Sequence, residues 1–285
     1  MWPMTGSEDS PSLPPETRLG RTALSVHDLD ATTEFYRTVV GLAVLDRDDE
    51  SATLGVDGTP LLVLRRDADA SPRGRDQAGL FHNAFLFPSR GALGAALERI
   101  REHWTLDGAS DHDVSEALYL SDPEGNGVEI YRDRPPEEWP RTPDGGVAMA
   151  TRPLDLDDVA AESDGGPTAP AGTSFGHVHL EVTSVPTARE FYVETLGFDV
   201  RMDAGSALFV AADGYHHHLG LNAWNGRSSP AGGRGLAWFE VLVPTEAALR
   251  AVGERLNDAG VPADERDGGI ETRDPDGIRI RIRAE

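Results

Sequence analysis

The chain has 285 residues, about 39% of them hydrophobic, and a formal charge of −23 in which all 26 basic residues are arginine. That length allows one large or two ordinary domains, and the acidity excludes nucleic acid as a partner because phosphates would be repelled. The lack of any cysteine removes disulfides, thiolate metal sites and cysteine nucleophiles together.

In chain order, residues 1–17 are acidic and proline-rich and are expected to be a disordered tail, with no apolar stretch resembling a signal peptide. No run approaches a membrane-spanning length, so a cytoplasmic protein without a membrane partner is expected. A lysine-free acidic surface suits solubility in concentrated salt, where charge repulsion is screened, and a halophilic source is inferred. A strand is predicted at Leu19–Val26, a helix at Asp30–Val39 ended near Gly41, and strands at Ala43–Asp46, Ser51–Val56 and Pro60–Leu64. This is a βαβββ unit. A second runs from Leu80 to Tyr131, with a strand at His82–Phe87, a helix at Ser89–Arg101 and a turn at Asp122-Pro123-Glu124-Gly125. Residues 135–173 have linker composition, with a short helix expected at Leu154–Ala161. The third unit spans Phe175 to Asn222 and the fourth Leu236 to Arg283. The expected architecture is α+β: four βαβββ modules in two curved mixed-sheet domains, 18–134 and 174–285.

The two halves repeat at an offset of 156. Leu24, Glu34, Phe35, Tyr36 and Gly41 return as Leu180, Glu190, Phe191, Tyr192 and Gly197. The chemistry does not repeat: Arg21 meets His177, Leu61 meets His217, and His82 meets Trp238. Imidazoles kept in selected slots of a duplicated scaffold point to one built site.

Strand alternation places His177, His179 and Glu181 on one face, opposite Val178, Leu180 and Val182. Tyr119 and Glu129 are equidistant from Glu124, so the hairpin sets them opposite each other, facing one cavity. In the run His216-His217-His218, parity turns His216 and His218 to the cavity. His103 follows a helix with no partner and is read as exposed. His82 opens the second unit at the slot His177 holds in the third. Two histidines and one carboxylate with open positions make the ligand set of non-haem Fe(II), and Mn(II) would also fit.

These residues resemble the vicinal oxygen chelate superfamily, and within it the extradiol ring-cleaving dioxygenases of the catechol 2,3-dioxygenase type. The resemblance covers about 18–134 and 174–283. Its most specific matches are GHVHL at 176–180, GYHHHLGLN at 214–222, and the segment Ser110–Tyr131 with its DPEGN turn. It implies metal ligands His82, His177 and Glu129. It implies a cavity base at His217, against the parity reading, and His216 and His218 stay open. Tyr119 and His112 are implied to hydrogen-bond the substrate. The expected function is an Fe(II) enzyme that cleaves a small aromatic diol with O₂ beside the diol. Homo-oligomerisation is left open. Best-known members hold the full set in modules three and four, whereas here it falls on modules two and three. Those two are expected to pair around one metal, leaving modules one and four as a vacant cup; the alternative is a degenerate site in each half. Two other classes on this scaffold are a glyoxalase-type lyase or isomerase and a metal-free ligand-sequestering protein.

Overall fold

The computed structural model describes residues 12–143 and 146–285. Four modules follow one another. The first holds β1 (Arg18–Val26), α1 (Leu29–Phe35), β2 (Ala43–Arg47), β3 (Ser51–Val56) and β4 (Thr59–Arg66). The second holds β5 (Gly79–Leu86), α2 (Arg90–His103), β6 (Gly108–Asp111), β7 (Ser115–Ser121) and β8 (Gly127–Asp133). A connecting stretch carries β9 (Arg152–Pro153) and α3 (Leu156–Ala161). The third module holds β10 (Ser174–Glu181), α4 (Val185–Arg189), β11 (Asp199–Asp203), β12 (Ala207–Ala211) and β13 (Leu219–Asn222). The fourth holds β14 (Gly235–Val243), α5 (Glu246–Asp258), β15 (Ala263–Arg266), β16 (Gly269–Arg273) and β17 (Arg279–Ala284). No helix among the described residues is long and apolar enough to cross a membrane.

Local sequence explains the elements. Asp28, Ser89, Ser184 and Thr245 each cap a helix by accepting a backbone N–H of its first turn. The helices predicted at the Phe-Tyr repeats do form, but their second halves, Tyr36–Val40 and Glu190–Thr195, loosen into π-helical turns. The widened turn exposes carbonyls that the α ladder would have used. Arg99 donates to Val39 and Val40 O, and Arg255, 156 residues later, donates to Thr195 and Leu196 O.

The sheets do not follow the halves of the sequence. One has the order β15-β16-β17-β14-β1-β4-β3-β2 and joins modules one and four; the other, β11-β12-β13-β10-β5-β8-β7-β6-β9, joins modules two and three. Contacts on the helix side run the other way, within each half. Tyr36 of module one donates to Asp122 of module two, and Tyr192 of module three donates to Asp274 of module four. The division at 135–173 is thus not a division between sheets. The apolar cluster is continuous across all four modules, from Leu24 and Leu62 through Phe85 and Leu180 to Phe239 and Ile280.

Two expected unstructured stretches have structure. Residues 1–11 of the predicted tail lie outside the described residues, but Leu13 is buried and its N–H donates to Gly197 O. Within 135–173, α3 forms where a helix was expected and buries Val159. Arg90 at the start of α2 ties it down, bonding Glu116 on β7 and both Asp158 and Glu162. A linker-like composition here encodes a strap, because its few apolar residues find a core to enter.

Candidate metal centre

The central strands of the nine-stranded sheet build the site by register. β10 pairs antiparallel with β5, and β5 pairs parallel with β8. One row across the three reads His177–Ala84–Glu129, and two rows along β10 and β5 His179 pairs with His82. Period-two alternation puts all these side chains on one face. The result is two imidazoles around one carboxylate: His82 Nε2 lies 2.8 Å and His177 Nε2 3.2 Å from the same Glu129 Oε2. A ring nitrogen of His179 lies within 4.8 Å of one on His82 and one on His177, and His179 stacks on His82 with ring centroids 4.3 Å apart. The three expected ligands therefore meet at one point, and His179 borders it.

The donors fit a divalent cation. Glu129 is 3% exposed, and among the described residues no arginine pairs with it. Every other buried glutamate on these sheets has one: Glu116 has Arg90 and Arg132, Glu181 has Arg73 and Arg227, Glu240 has Arg21. A buried carboxylate without a cation is costly. His82 Nε2, despite its 2.8 Å approach, has no properly directed hydrogen bond. Burial lowers the pKa of His177 and pushes those of His179 and His217 well down, so at neutral pH these imidazoles offer lone pairs.

Around this point lies a cavity of about 740 Å³. Its apolar wall includes Phe81, Phe209, Met149 and Trp224, flat and flexible surfaces suited to a planar ring. Tyr119 and Glu129 are register partners across the β7–β8 hairpin, as the turn spacing required. The Tyr119 hydroxyl is 2.6 Å from His112 Nε2, while His112 Nδ1 is 2.7 Å from Ala150 O. The carbonyl can only accept, so Nδ1 carries the hydrogen and Nε2 accepts from the phenol. Burial and the charge of Glu129 raise the Tyr119 pKa well above its ordinary value, leaving it a donor.

The three consecutive histidines do not lie in a strand. β13 begins only at Leu219, and residues 212–218 form an irregular turn where alternation does not apply. Parity therefore misassigned the run. His217 lines the cavity, its Nε2 3.0 Å from His179 Nε2. His216 turns behind it, with Nε2 2.8 Å from Asp133 Oδ1 and Nδ1 2.8 Å from His217 Nδ1. His218 is buried away from the cavity and accepts from Ala212 N through Nδ1. His103 ends α2 and is exposed, as read.

Two groups were missed. Asp133 shares the face of Glu129 and Tyr131 by alternation along β8, so strand parity could have found it. Arg73 and Arg227 hold the cavity-lining Glu181 at 2.7 and 2.8 Å; they come from loops, and no periodicity marks them.

The matching cup of modules one and four is not vacant. Arg281 packs 4.2 Å over the Trp238 ring and bonds Glu271 at 2.9 Å, and Arg21 reaches Glu240 at 3.4 Å. The space left is about 20 Å³, room for about one water. It is filled by cation–π and ion-pair contacts in the slots that hold imidazoles across the molecule.

The model of the Glyoxalase/Bleomycin resistance protein/Dioxygenase superfamily matches residues 18–130 and 174–282. The chain belongs to that superfamily. Within it, a Catechol-2,3-dioxygenase of Bacillus subtilis (strain 168) is 39% identical over 274 residues, covering 93% of this chain and 96% of the relative. A Biphenyl-2,3-diol 1,2-dioxygenase 3 of Rhodococcus globerulus is 31% identical over 133 residues, 42% of this chain and 67% of the relative. Glyoxalase I of Zea mays has the same fold, with a TM-score of 0.59 at 17% identity over 94% of this chain and 92% of that one. Superfamily membership accounts for the four modules and two mixed sheets.

Proposed function

We propose that this chain is a non-haem Fe(II)-dependent extradiol ring-cleaving dioxygenase, acting on a catechol-type small aromatic diol with O₂. The observation that carries the reading is the convergence of His82, His177 and Glu129 in a cavity that also holds His217 and the Tyr119–His112 pair. The 39% identity to a catechol-2,3-dioxygenase over nearly the whole chain supports it.

His82, His177 and Glu129 would hold the metal, two neutral nitrogens and one carboxylate leaving positions open. Bound iron supplies the redox chemistry that lets dioxygen react with a closed-shell diol; Mn(II) suits the same donors. The protein does the rest. The apolar wall excludes water and orients the ring. Tyr119, its hydroxyl hydrogen held by His112 Nε2, presents its oxygen to accept from a substrate hydroxyl. His217 accepts a substrate hydroxyl proton at Nε2 and returns it as the ring opens. The carbon–carbon bond beside the diol breaks, and both oxygen atoms enter a muconic semialdehyde.

The test is oxygen uptake with catechol after anaerobic loading of the purified protein with Fe(II). One O₂ consumed per catechol, with the semialdehyde appearing in step, is expected. Tight metal-free binding of aromatic ligands without uptake would instead favour the sequestering class.

A further inference from the structure

A second cavity, of about 370 Å³, opens where the ends of β1 and β4 meet the starts of β5, β14 and β17. Arg65, Arg66, Arg73, Arg234, Arg273 and Arg279 line it, against a single acidic side chain, Asp67. Six of the 26 arginines thus share one wall in a chain of net charge −23. Such a concentration of like charge repels itself unless something offsets it.

The offset within the protein is partial. Arg73 reaches Glu181 at 2.7 Å, Arg234 reaches Glu124 at 3.2 Å, and Arg279 reaches Glu271 at 3.4 Å. Those three carboxylates lie outside the cavity wall. Among the described residues, Arg65, Arg66 and Arg273 have no carboxylate within ion-pair distance. Moreover, Arg73 Nη1 is buried and has no hydrogen-bond partner among the described residues, its ion pair to Glu181 being made through Nη2. A buried donor left unsatisfied costs the full desolvation of that group. Gly79 lets the Arg73 guanidinium lie close against the backbone of this wall: a Cβ there would fall 2.9 Å from Arg73 Nη1, and that glycine's φ of +144 disfavours any side chain.

We propose that this cavity binds a small, multiply charged oxyanion, either a phosphate ester or a polycarboxylate. Guanidinium forks match both carboxylate and phosphate oxygens in paired hydrogen bonds. The volume lies within the range of small-ligand sites, about 300–1,000 Å³. In an acidic protein only such a local field gathers anions. The site is separate from the His82–His177–Glu129 centre and does not depend on its chemistry, although Arg73 borders both cavities.

Isothermal titration of the full chain with inorganic pyrophosphate, and separately with citrate, at constant ionic strength tests it. At least one should saturate a single site, and which one does distinguishes the two sources. Arg65→Ser with Arg273→Ser, both exposed, should weaken binding at least about tenfold; Arg66→Ser alone is the fallback if the double variant does not fold. Arg250→Ser, exposed on α5, should bind as the parent does. No saturation up to about 10 mM of either probe, equal binding by the cavity variants, or displacement of pyrophosphate by chloride at the same ionic strength would each overturn the proposal.

Discussion

His216 Nδ1 stands 2.8 Å from His217 Nδ1, and this contact determines which nitrogen of His217 is basic. Asp133 Oδ1, 2.8 Å from His216 Nε2, can only accept as a carboxylate. His216 therefore carries its hydrogen on Nε2 and accepts at Nδ1. His217 must then donate from Nδ1, which leaves its Nε2 the basic nitrogen, accepting from His179 Nε2 at 3.0 Å at the edge of the cavity. Asp133→Asn keeps the shape but frees this order, since an amide can also donate. The expected outcome is a kcat lowered about 10–100-fold, with KM and iron content unchanged. Steady-state oxygen uptake with metal analysis checks it; undiminished kcat would remove Asp133 and His216 from any role in orienting His217.

His82→Ala, His177→Ala and Glu129→Gln should each abolish stoichiometric Fe(II) binding while the far-ultraviolet circular dichroism stays that of the parent. Metal also adds stability by binding only the folded chain, about 2.7 kcal/mol at a free concentration 100 times Kd. Chelator treatment should therefore lower the melting temperature of the parent and leave that of the three variants unmoved. Retained iron in both histidine variants would show that the centre lies elsewhere.

Gly220 on β13 lies under His179, where an added Cβ would fall 2.2 Å from the imidazole. That ring is confined between His82, at a centroid distance of 4.3 Å, and His217, at 5.0 Å. Gly220→Ala must push it toward the metal point. We expect a loss of about 1–3 kcal/mol in stability from overpacking, together with weaker metal binding. Urea denaturation and iron titration measure the two effects; a variant unchanged in both would mean that His179 has room the packing denies it.

Burial raises the pKa of Asp274 to about 7, although it accepts from Tyr192 Oη, Asp276 N and Ile278 N. The folded chain then holds a proton that the unfolded chain releases near pH 4. The stabilisation is full below that pH and is lost as pH rises through 7. Asn at this position keeps an oxygen for Asp276 N and Ile278 N, donates its amide N–H to the Tyr192 oxygen in place of accepting from it, and does not titrate. The stability of Asp274→Asn relative to the parent should rise between pH 4 and pH 8 by on the order of 3–4 kcal/mol. Denaturant titrations at both pH values decide it; a difference that stays constant would show that Asp274 is ionised throughout.

Much of this molecule is legible along the chain. Caps such as Ser89, the Asp122 turn and the alternation of β10 are local, within a few residues of each other, so they read directly as elements and as the faces on which His177, His179 and Glu129 lie. The offset of 156 between Arg21 and His177 marked the slots in which chemistry differs between copies. The same local logic failed at His216–His218, because alternation presumes a strand and residues 212–218 are a turn. It also missed Arg73 and Arg227, which reach Glu181 from loops.

The amino-acid order by itself determined the modules, the repeat and the residue types available to a metal, because each depends on short-range backbone preference and side-chain period. Only the tertiary structure decided that β10 lies against β5 while β14 lies against β1, which brings His177 to His82 across the connecting stretch. Strand pairing over such separations is set by the burial of one continuous core shared by all four modules. For the same reason the hydrogen-bond order from Asp133 to His217, the arginine plug around Trp238 and the second, arginine-lined cavity emerge only when distant strands are assembled.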